Sequence, residues 1–190
     1  TGEVIVFLRN SNEILQDKKV RQAIVKATNT NVIATGLGYP VITARSPLLK
    51  QHLGYDPSIL QFPQNVAEAN TLLDSAGWVM AKDGIRAKGN QKLSIKLYAR
   101  STSEYAFITQ VLQKQWKVVG VDAEVIMQPS ADLNSTVAFH NYDALVYGIS
   151  LGIDPDVLPY WHGSQSDIRS ASRLNLSEYK NATADRALEA

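Results

Sequence analysis

The fold of this chain is decided by residues 93–128, which read LSIKLYARSTSEYAFITQVLQKQWKVVGVDAEVIMQ. Apolar and polar residues alternate at 93–98, a pattern typical of a half-buried β-strand. Over about 103–119 the apolar residues recur at every third or fourth position instead, which predicts an amphipathic helix. Alternation returns at 121–125, and the apolar residues that follow extend a predicted strand over 121–127. A strand, a helix and a second strand in this order predict a βαβ unit with a parallel, right-handed crossover.

The residues before this unit predict a strand, two helices and a hairpin. A short apolar run rich in β-branched residues predicts a strand at 3–8. Helical spacing predicts one helix over about 18–35 and another over about 65–77, the second ending at a glycine. Prolines and glycines without a regular period indicate a long ordered loop at 36–63. Asp-Gly at 83–84 is a hairpin turn signal.

The residues after the unit continue the alternation of helices and strands. They predict a helix at about 129–139, a strand at 142–149, and a loop-rich tail that ends in a helix from Ala182. Five strands alternating with helices place the fold in the α/β class. With 190 residues, the chain is expected to form a single domain over 1–190.

Composition excludes several classes of partner. The net charge is +1, and Lys and Arg are scattered along the chain, so we expect no nucleic-acid partner. No apolar run approaches the roughly 18 residues that a membrane span needs, so we expect no direct membrane insertion. The chain has no cysteine, which removes disulfides and thiolate chemistry.

The sequence also lacks motifs for catalysis, metals and cofactors. Its three histidines are far apart and show none of the spacings that place metal ligands on one face. It has no phosphate-binding loop, dinucleotide fingerprint or nucleophile elbow in the required context. No nucleophile, base and orienting group can be assembled from it. We therefore predict that the protein is not an enzyme and uses no cofactor and no metal.

One segment combines acidic and aromatic residues. Residues 154–156 read Asp-Pro-Asp, and two acids at this spacing can share a metal or a proton. Asp-Pro is also a common helix opener, and capping is the favoured interpretation. Tyr147, Tyr160 and Trp161 lie on either side, and aromatic surfaces beside a capped turn are typical of solute pockets. For Trp161, a place in a pocket and a place in the core are both open.

Five segments in order match motifs that occur together in one family. Residues 17–24 read DKKVRQAI, and residues 67–78 read AEANTLLDSAGW. The hairpin at 83–86 reads DGIR, and 112–121 joins a helix end to Gly-Val. Residues 154–185 hold Asp-Pro-Asp, then Trp-His-Gly-Ser-Gln, then a spaced Asn, Tyr, Asn and Asp. Together they resemble the extracellular solute-binding proteins, family 5, of peptide, nickel and oligosaccharide ABC importers.

The resemblance implies both a fold and a function. Family members form two lobes about a ligand cleft, and this chain corresponds to most of one lobe of a type II periplasmic-binding-protein fold, a mixed sheet with helices on both faces. It would bind a peptide-like or other small polar solute together with the missing partner lobe and deliver it to an ABC transporter permease. An extracytoplasmic location, with a lipid anchor in the full-length protein, is also implied. The alternative is a ligand-sensing domain of a transcriptional regulator with the same fold, which a helix-turn-helix elsewhere in the full-length chain would indicate.

The resemblance also indicates site residues. In peptide-binding members an arginine after the strand that precedes the long helix can hold the ligand carboxylate, and Arg100 lies within about one residue of that place. The alternative for Arg100 is a solvated side chain that opens a loop. Members that hold a peptide amine carry an aspartate shortly before the Asp-Pro-Asp segment, whereas residues 148–153 contain no acid. The candidate ligand-binding residues are Arg100, Tyr147, Ser150, Asp154 and Trp161.

Overall fold

The computed structural model of the protein describes residues 2–59, 61–152 and 156–190. Its strands are β1 (Gly2–Leu8), β2 (Val79–Met80), β3 (Arg86–Lys88), β4 (Gln91–Lys92), β5 (Ser94–Arg100), β6 (Asp122–Gln128) and β7 (Ala144–Ser150). Its helices are α1 (Lys18–Ala27), α2 (Thr30–Gly36), α3 (Val66–Ser75), α4 (Ser103–Val118), α5 (Ser130–Ala138), α6 (Leu158–Trp161) and α7 (Ala182–Leu188). A short 3-10 turn, Gly163–Gln165, follows α6.

The main sheet has the strand order β1-β7-β5-β6. Strand β5 runs parallel to both β6 and β7, whereas β1 runs antiparallel to β7. Ala99 of β5 lies opposite Met127 on one side and Val146 on the other, so the carboxyl ends of the three parallel strands reach the same edge. The predicted parallel βαβ unit is confirmed, with α4 joining β5 to β6.

Helices cover both faces of this sheet. Helices α1, α3 and α4 lie on one side, here called the α4 face, over Ile95, Leu97 and Ala99 of β5. Helix α5 and the C-terminal segment lie on the other side, here called the α5 face, where Phe7 and Leu133 belong to a second apolar cluster. Both faces therefore bury apolar side chains against helices. The predicted α/β fold, a mixed sheet with helices on both faces, is confirmed.

One predicted helix is divided in two. The spacing predicts a single helix over about 18–35, but α1 ends at Ala27 and α2 begins at Thr30. The Asn29 side chain accepts hydrogen bonds from two backbone N–H groups in the first turn of α2, so it caps a new helix. The prediction was wrong because apolar spacing does not register a polar side chain that competes for backbone N–H groups.

The smaller sheet, β2-β3-β4, contains the predicted hairpin. The Asp83 carboxylate accepts a hydrogen bond of 3.1 Å from the backbone N–H of Ile85. Gly84 has a φ of +80°, a conformation that glycine adopts without steric cost. In the described ranges, no helix is long and apolar enough to cross a membrane.

Candidate functional site

The carboxyl ends of the parallel strands define the candidate site. Arg100 ends β5, Gln128 lies opposite it at the end of β6, and Ser150 ends β7. Gly2, at the start of β1, pairs with Ser150. This edge of the sheet is here called the carboxyl edge. In open α/β sheets, ligands bind in the crevice outside the carboxyl ends of the strands.

Arg100 is the positive charge at this edge. Its side chain is exposed and forms no salt bridge with the residues that the structure describes. Alternation along β5 places it on the α5 face with Tyr98, which packs against the apolar cluster there. The backbone turns immediately afterwards, where the Thr102 N–H donates to the Arg100 carbonyl at 2.9 Å. The guanidinium is therefore available for a ligand carboxylate.

Tyr105, in the first turn of α4, lies within electrostatic reach of two of the candidate residues. Burial raises the pKa of the Tyr105 hydroxyl, and the positive charge of Arg100 partly opposes that rise. Tyr147 contributes a smaller upward shift to the same pKa. A Cβ atom at Gly148 would lie 3.0 Å from the Tyr105 hydroxyl, so the glycine allows the close approach. Arg100, Tyr105 and Tyr147 therefore form one neighbourhood.

The long loop before α3 also reaches the beginning of α4. The Tyr39 hydroxyl donates a hydrogen bond to the Glu104 carboxylate. That hydrogen bond is the main reason why the pKa of Tyr39 is raised. Neither Tyr39 nor Tyr105 was among the predicted site residues. The signal that could have indicated Tyr105 is its position, because the first turn of the helix that follows a strand's carboxyl end faces the crevice.

Trp161 lies at the end of α6 and packs against the α5 face. Its ring stacks on Phe7 of β1, with ring centroids 6.2 Å apart and an interplanar angle of 30°. Tyr147 and Tyr160 are partly buried against the same cluster. The indole Nε1 of Trp161 is buried and has no hydrogen-bond partner among the described residues. Trp161 therefore both packs against the cluster and carries an unused hydrogen-bond donor.

The remaining two candidates have different positions. Ser150 is exposed at the end of β7, and alternation places it on the α4 face, opposite to Tyr147. Asp154 lies outside the described residues, so its capping and pocket interpretations both stay predictions. Arg100, Tyr147 and Ser150 are brought to one end of the sheet, with Arg100 and Tyr147 on the same face. Trp161 lies on that face as well, because its ring stacks on Phe7.

Glu3 is an acidic residue of β1 that the sequence did not indicate. It is only 7% exposed, and its Oε1 atom has no hydrogen-bond partner among the described residues. Burial raises its pKa above the ordinary value for glutamate. It pairs with Ile149 of β7, close to the carboxyl edge. The only signal in the sequence is an acid in an otherwise apolar strand, which does not distinguish a buried side chain from a solvated one.

The chemistry available at this edge is that of recognition. It offers a guanidinium, tyrosine hydroxyls and a buried carboxylate, all of which bind polar groups. Trp161 lies farther from this edge, over Phe7, which pairs with Leu145 near the start of β7. Within the described residues, no group of three or more His, Asp or Glu side chains could hold a metal ion. The arrangement therefore suits a solute with polar ends and apolar parts.

Known proteins share both the sequence and the fold of this chain. The family described as bacterial extracellular solute-binding proteins, family 5 Middle, matches residues 1–170. The oligopeptide-binding protein AppA of Bacillus subtilis is 31% identical over 194 aligned residues, which cover 98% of this chain and 35% of AppA. Protein XP55 of Streptomyces lividans is 28% identical, over 97% of this chain and 34% of that protein. The chain thus spans about a third of the length of these curated relatives.

Solved structures give the same relationship. AppA in complex with a nonapeptide superposes with a TM-score of 0.86 and 28% identity, covering 99% of this chain and 38% of AppA. NikZ of Campylobacter jejuni, in complex with Ni(L-His), superposes with a TM-score of 0.90 at 24% identity, over 99% of this chain and 38% of NikZ. These neighbours have the type II periplasmic-binding-protein fold. The chain belongs to the bacterial extracellular solute-binding proteins of family 5.

Proposed function

We propose that residues 1–190 form a single α/β lobe segment whose carboxyl edge is one wall of a solute cleft. The missing partner lobe of the full-length chain supplies the other wall, and the two close on a peptide-like or other small polar solute. The closed receptor then presents the solute to an ABC transporter permease. The protein acts outside the cytoplasm, held there by a lipid anchor, and it does not transform its ligand.

The observation that carries this proposal is the exposed guanidinium of Arg100 at the carboxyl edge, which forms no salt bridge with any residue that the structure describes. A guanidinium is planar and donates two parallel hydrogen bonds to a carboxylate, so it suits the end of a peptide or another acidic group. Tyr105 and Tyr147 lie within electrostatic reach of each other beside it and add hydroxyl groups. The names of the relatives agree with such a ligand, since AppA is called an oligopeptide-binding protein and was solved with a nonapeptide.

The division of the cleft between two lobes predicts weak binding by this segment alone. A ligand site normally buries most of the ligand surface, whereas one wall covers only part of it. Association also has an entropic cost that partial burial offsets poorly. Calorimetry on the segment alone is expected to show much weaker binding than the full-length protein. Submicromolar affinity of the segment alone would contradict the two-lobed cleft.

The test uses the full-length protein and a panel of alanine peptides two to nine residues long. Wild-type protein is expected to bind at least one of them in isothermal titration calorimetry. Arg100→Ala is expected to weaken that binding by about 10- to 100-fold, because a charge-assisted hydrogen bond contributes about 1.5–3 kcal/mol. Lys96→Ala is the matched control, since Lys96 is an exposed cation on the same face of the same strand, away from the carboxyl edge. Equal loss in both variants, or none in Arg100→Ala, would contradict the role of Arg100.

A further inference from the structure

Glu3 is a buried acidic residue near the carboxyl edge of the sheet. The residue is 7% exposed, and the structure gives that atom no hydrogen bond with any described residue. A carboxylate withdrawn from water normally gains a cation or several N–H donors in return. A buried polar atom that the protein does not satisfy can instead be satisfied by a bound ligand.

Glu3 lies next to the carboxyl edge, where ligands bind in open α/β sheets. Glu3 pairs with Ile149, next to the pair of Gly2 with Ser150 that ends the sheet at the carboxyl edge. Alternation along β1 places Glu3 on the α5 face with Ile5 and Phe7, which both belong to the apolar cluster there. Glu3 therefore shares one face and one edge with the proposed solute wall.

One further feature supports a role for Glu3 at this edge. Residues 148–152 contain no acid, so the end of β7 itself supplies no negative charge here. Glu3 is the carboxylate that the neighbouring strand brings to this place.

The charges at the edge are also separated in a way that suits a zwitterion. Strand β7 lies between β1 and β5, so the strands of Glu3 and Arg100 are two strand spacings apart, about 10 Å. Arg100 is positive and Glu3 is acidic. A ligand with a carboxylate at one end and an ammonium group at the other can contact both.

We propose that Glu3 is the subsite for an ammonium group of the solute, which donates a hydrogen bond to the unpaired Oε1. This inference rests on the proposed function, because it assigns a group of the ligand to one residue of the same cleft. The ammonium group can be the amino terminus of a peptide or the end of a lysine side chain, and both would meet the same carboxylate.

The test compares three forms of the alanine peptide that the full-length protein binds best: free at its amino terminus, N-acetylated, and N-acetylated with one lysine. Wild-type protein is expected to prefer the free peptide over the acetylated one by at least about 10-fold. Glu3→Gln is expected to reduce that ratio to about one by weakening only the free peptide. Recovery of affinity with the lysine peptide would show that a side-chain ammonium reaches the subsite, and no recovery would assign it to the amino terminus.

Glu124→Gln is the matched control, because Glu124 is an exposed glutamate on β6 of the same sheet and its loss changes the net charge equally. It is expected to keep the wild-type ratio. A second readout separates ligand binding from a structural role. Without ligand, Glu3→Gln is expected to raise the midpoint of thermal unfolding, because it removes the charge of a buried carboxylate whose Oε1 atom has no hydrogen-bond partner among the described residues.

Three outcomes would overturn the proposal. They are an unchanged ratio in Glu3→Gln, an equal loss of affinity for all three peptides, and a lowered unfolding midpoint without ligand. Each of these leaves the proposed function standing, since wild-type protein still binds peptide. If wild-type protein binds no peptide of the panel, the proposed function and this inference both fail.

Discussion

The indole Nε1 of Trp116 donates a hydrogen bond of 2.9 Å to the hydroxyl of Thr28. Trp116 lies in α4 and is 1% exposed, whereas Thr28 lies at the end of α1. The same hydroxyl donates to the carbonyl of Ile24 at 2.8 Å. The Thr28 side chain thus bonds to the last turn of α1 and also accepts the hydrogen bond of a buried indole N–H. This bond ties the first helix of the α4 face to the central βαβ unit.

Replacement of Thr28 by valine is expected to destabilise the fold by about 1–3 kcal/mol. Valine has nearly the same shape, but it leaves the buried indole N–H of Trp116 without an acceptor. Thr71→Val is the matched control, because the Thr71 hydroxyl also donates to a carbonyl four residues earlier but is exposed and accepts no buried donor. Urea unfolding measures both variants. Equal effects at the two positions would show that the indole bond contributes nothing.

Replacement of Arg86 by lysine is expected to cost about 3 kcal/mol or more. Arg86 is 3% exposed, and its guanidinium donates to the Asp74 carboxylate at 2.5 Å and to the carbonyls of Trp78 and Val119. A lysine ammonium cannot reproduce this planar fork, so buried acceptors lose their donors. Arg169→Lys, at a pair on the surface, is expected to change stability by less than about 0.5 kcal/mol. A small effect of Arg86→Lys in urea unfolding would show that these hydrogen bonds contribute little to stability.

The stability of the protein is expected to fall as the pH rises above about 6.5, the ordinary pKa of histidine. Burial alone would lower the pKa of His140, but hydrogen bonds to the Glu178 carboxylate and the Arg173 carbonyl outweigh it and leave the pKa raised. Below the unfolded pKa this contribution to stability is complete, and it is lost as the pH rises through the higher folded pKa.

The variant His140→Asn tests this pH dependence. His140 has a φ of +50°, and asparagine tolerates that conformation better than most residues, so the backbone is preserved. The free energy of unfolding of His140→Asn is expected to show a smaller decline between about pH 6 and pH 8 than that of wild type. Glu178→Gln, which removes the hydrogen-bonding carboxylate, is expected to flatten the same region. An unchanged slope in both variants would assign the decline to other groups.

The replacement Trp161→Phe separates packing from hydrogen bonding at the proposed cleft. Phenylalanine keeps an aromatic ring against Phe7 but removes the buried N–H, which has no hydrogen-bond partner in the described part of the chain. The free energy of unfolding of the unliganded protein is therefore expected to change by less than about 1 kcal/mol. Peptide binding by the full-length variant is expected to weaken by about 5- to 10-fold, because the ligand loses that donor. Unchanged affinity in calorimetry would limit Trp161 to a role in the core.

The sequence was most informative where structure depends on near neighbours. Alternation over 93–98 and 121–127 marks β5 and β6, because one face of each strand must be apolar wherever it packs. The division between α1 and α2 was missed, because it depends on the cap made by Asn29 and on Thr28, whose hydroxyl meets a ring far along the chain. A contact between residues so far apart in the sequence leaves no local pattern.

The residues of the candidate site could likewise be predicted only where their position depends on nearby sequence. Arg100 could be indicated from its place after a strand, because the end of a parallel strand is predictable from the βαβ order. Glu3 could not be indicated in this way, because its burial depends on the pairing of β1 with β7, and β7 lies far along the chain. Tyr105 belongs to the site through Gly148, whose missing side chain allows the close approach. Tyr105 and Gly148 are far apart in the sequence, so no local pattern indicates this contact.

The solute is expected to lie against the carboxyl edge of the sheet. Hydrogen exchange of the full-length protein, measured by mass spectrometry with and without a saturating alanine peptide, tests this position. Exchange is expected to slow in segments 100–105 and 157–162 and to stay unchanged at 139–143, which lies at the opposite edge. Protection confined to 139–143, or no change in either of the first two segments while the peptide is bound, would contradict a solute at the carboxyl edge.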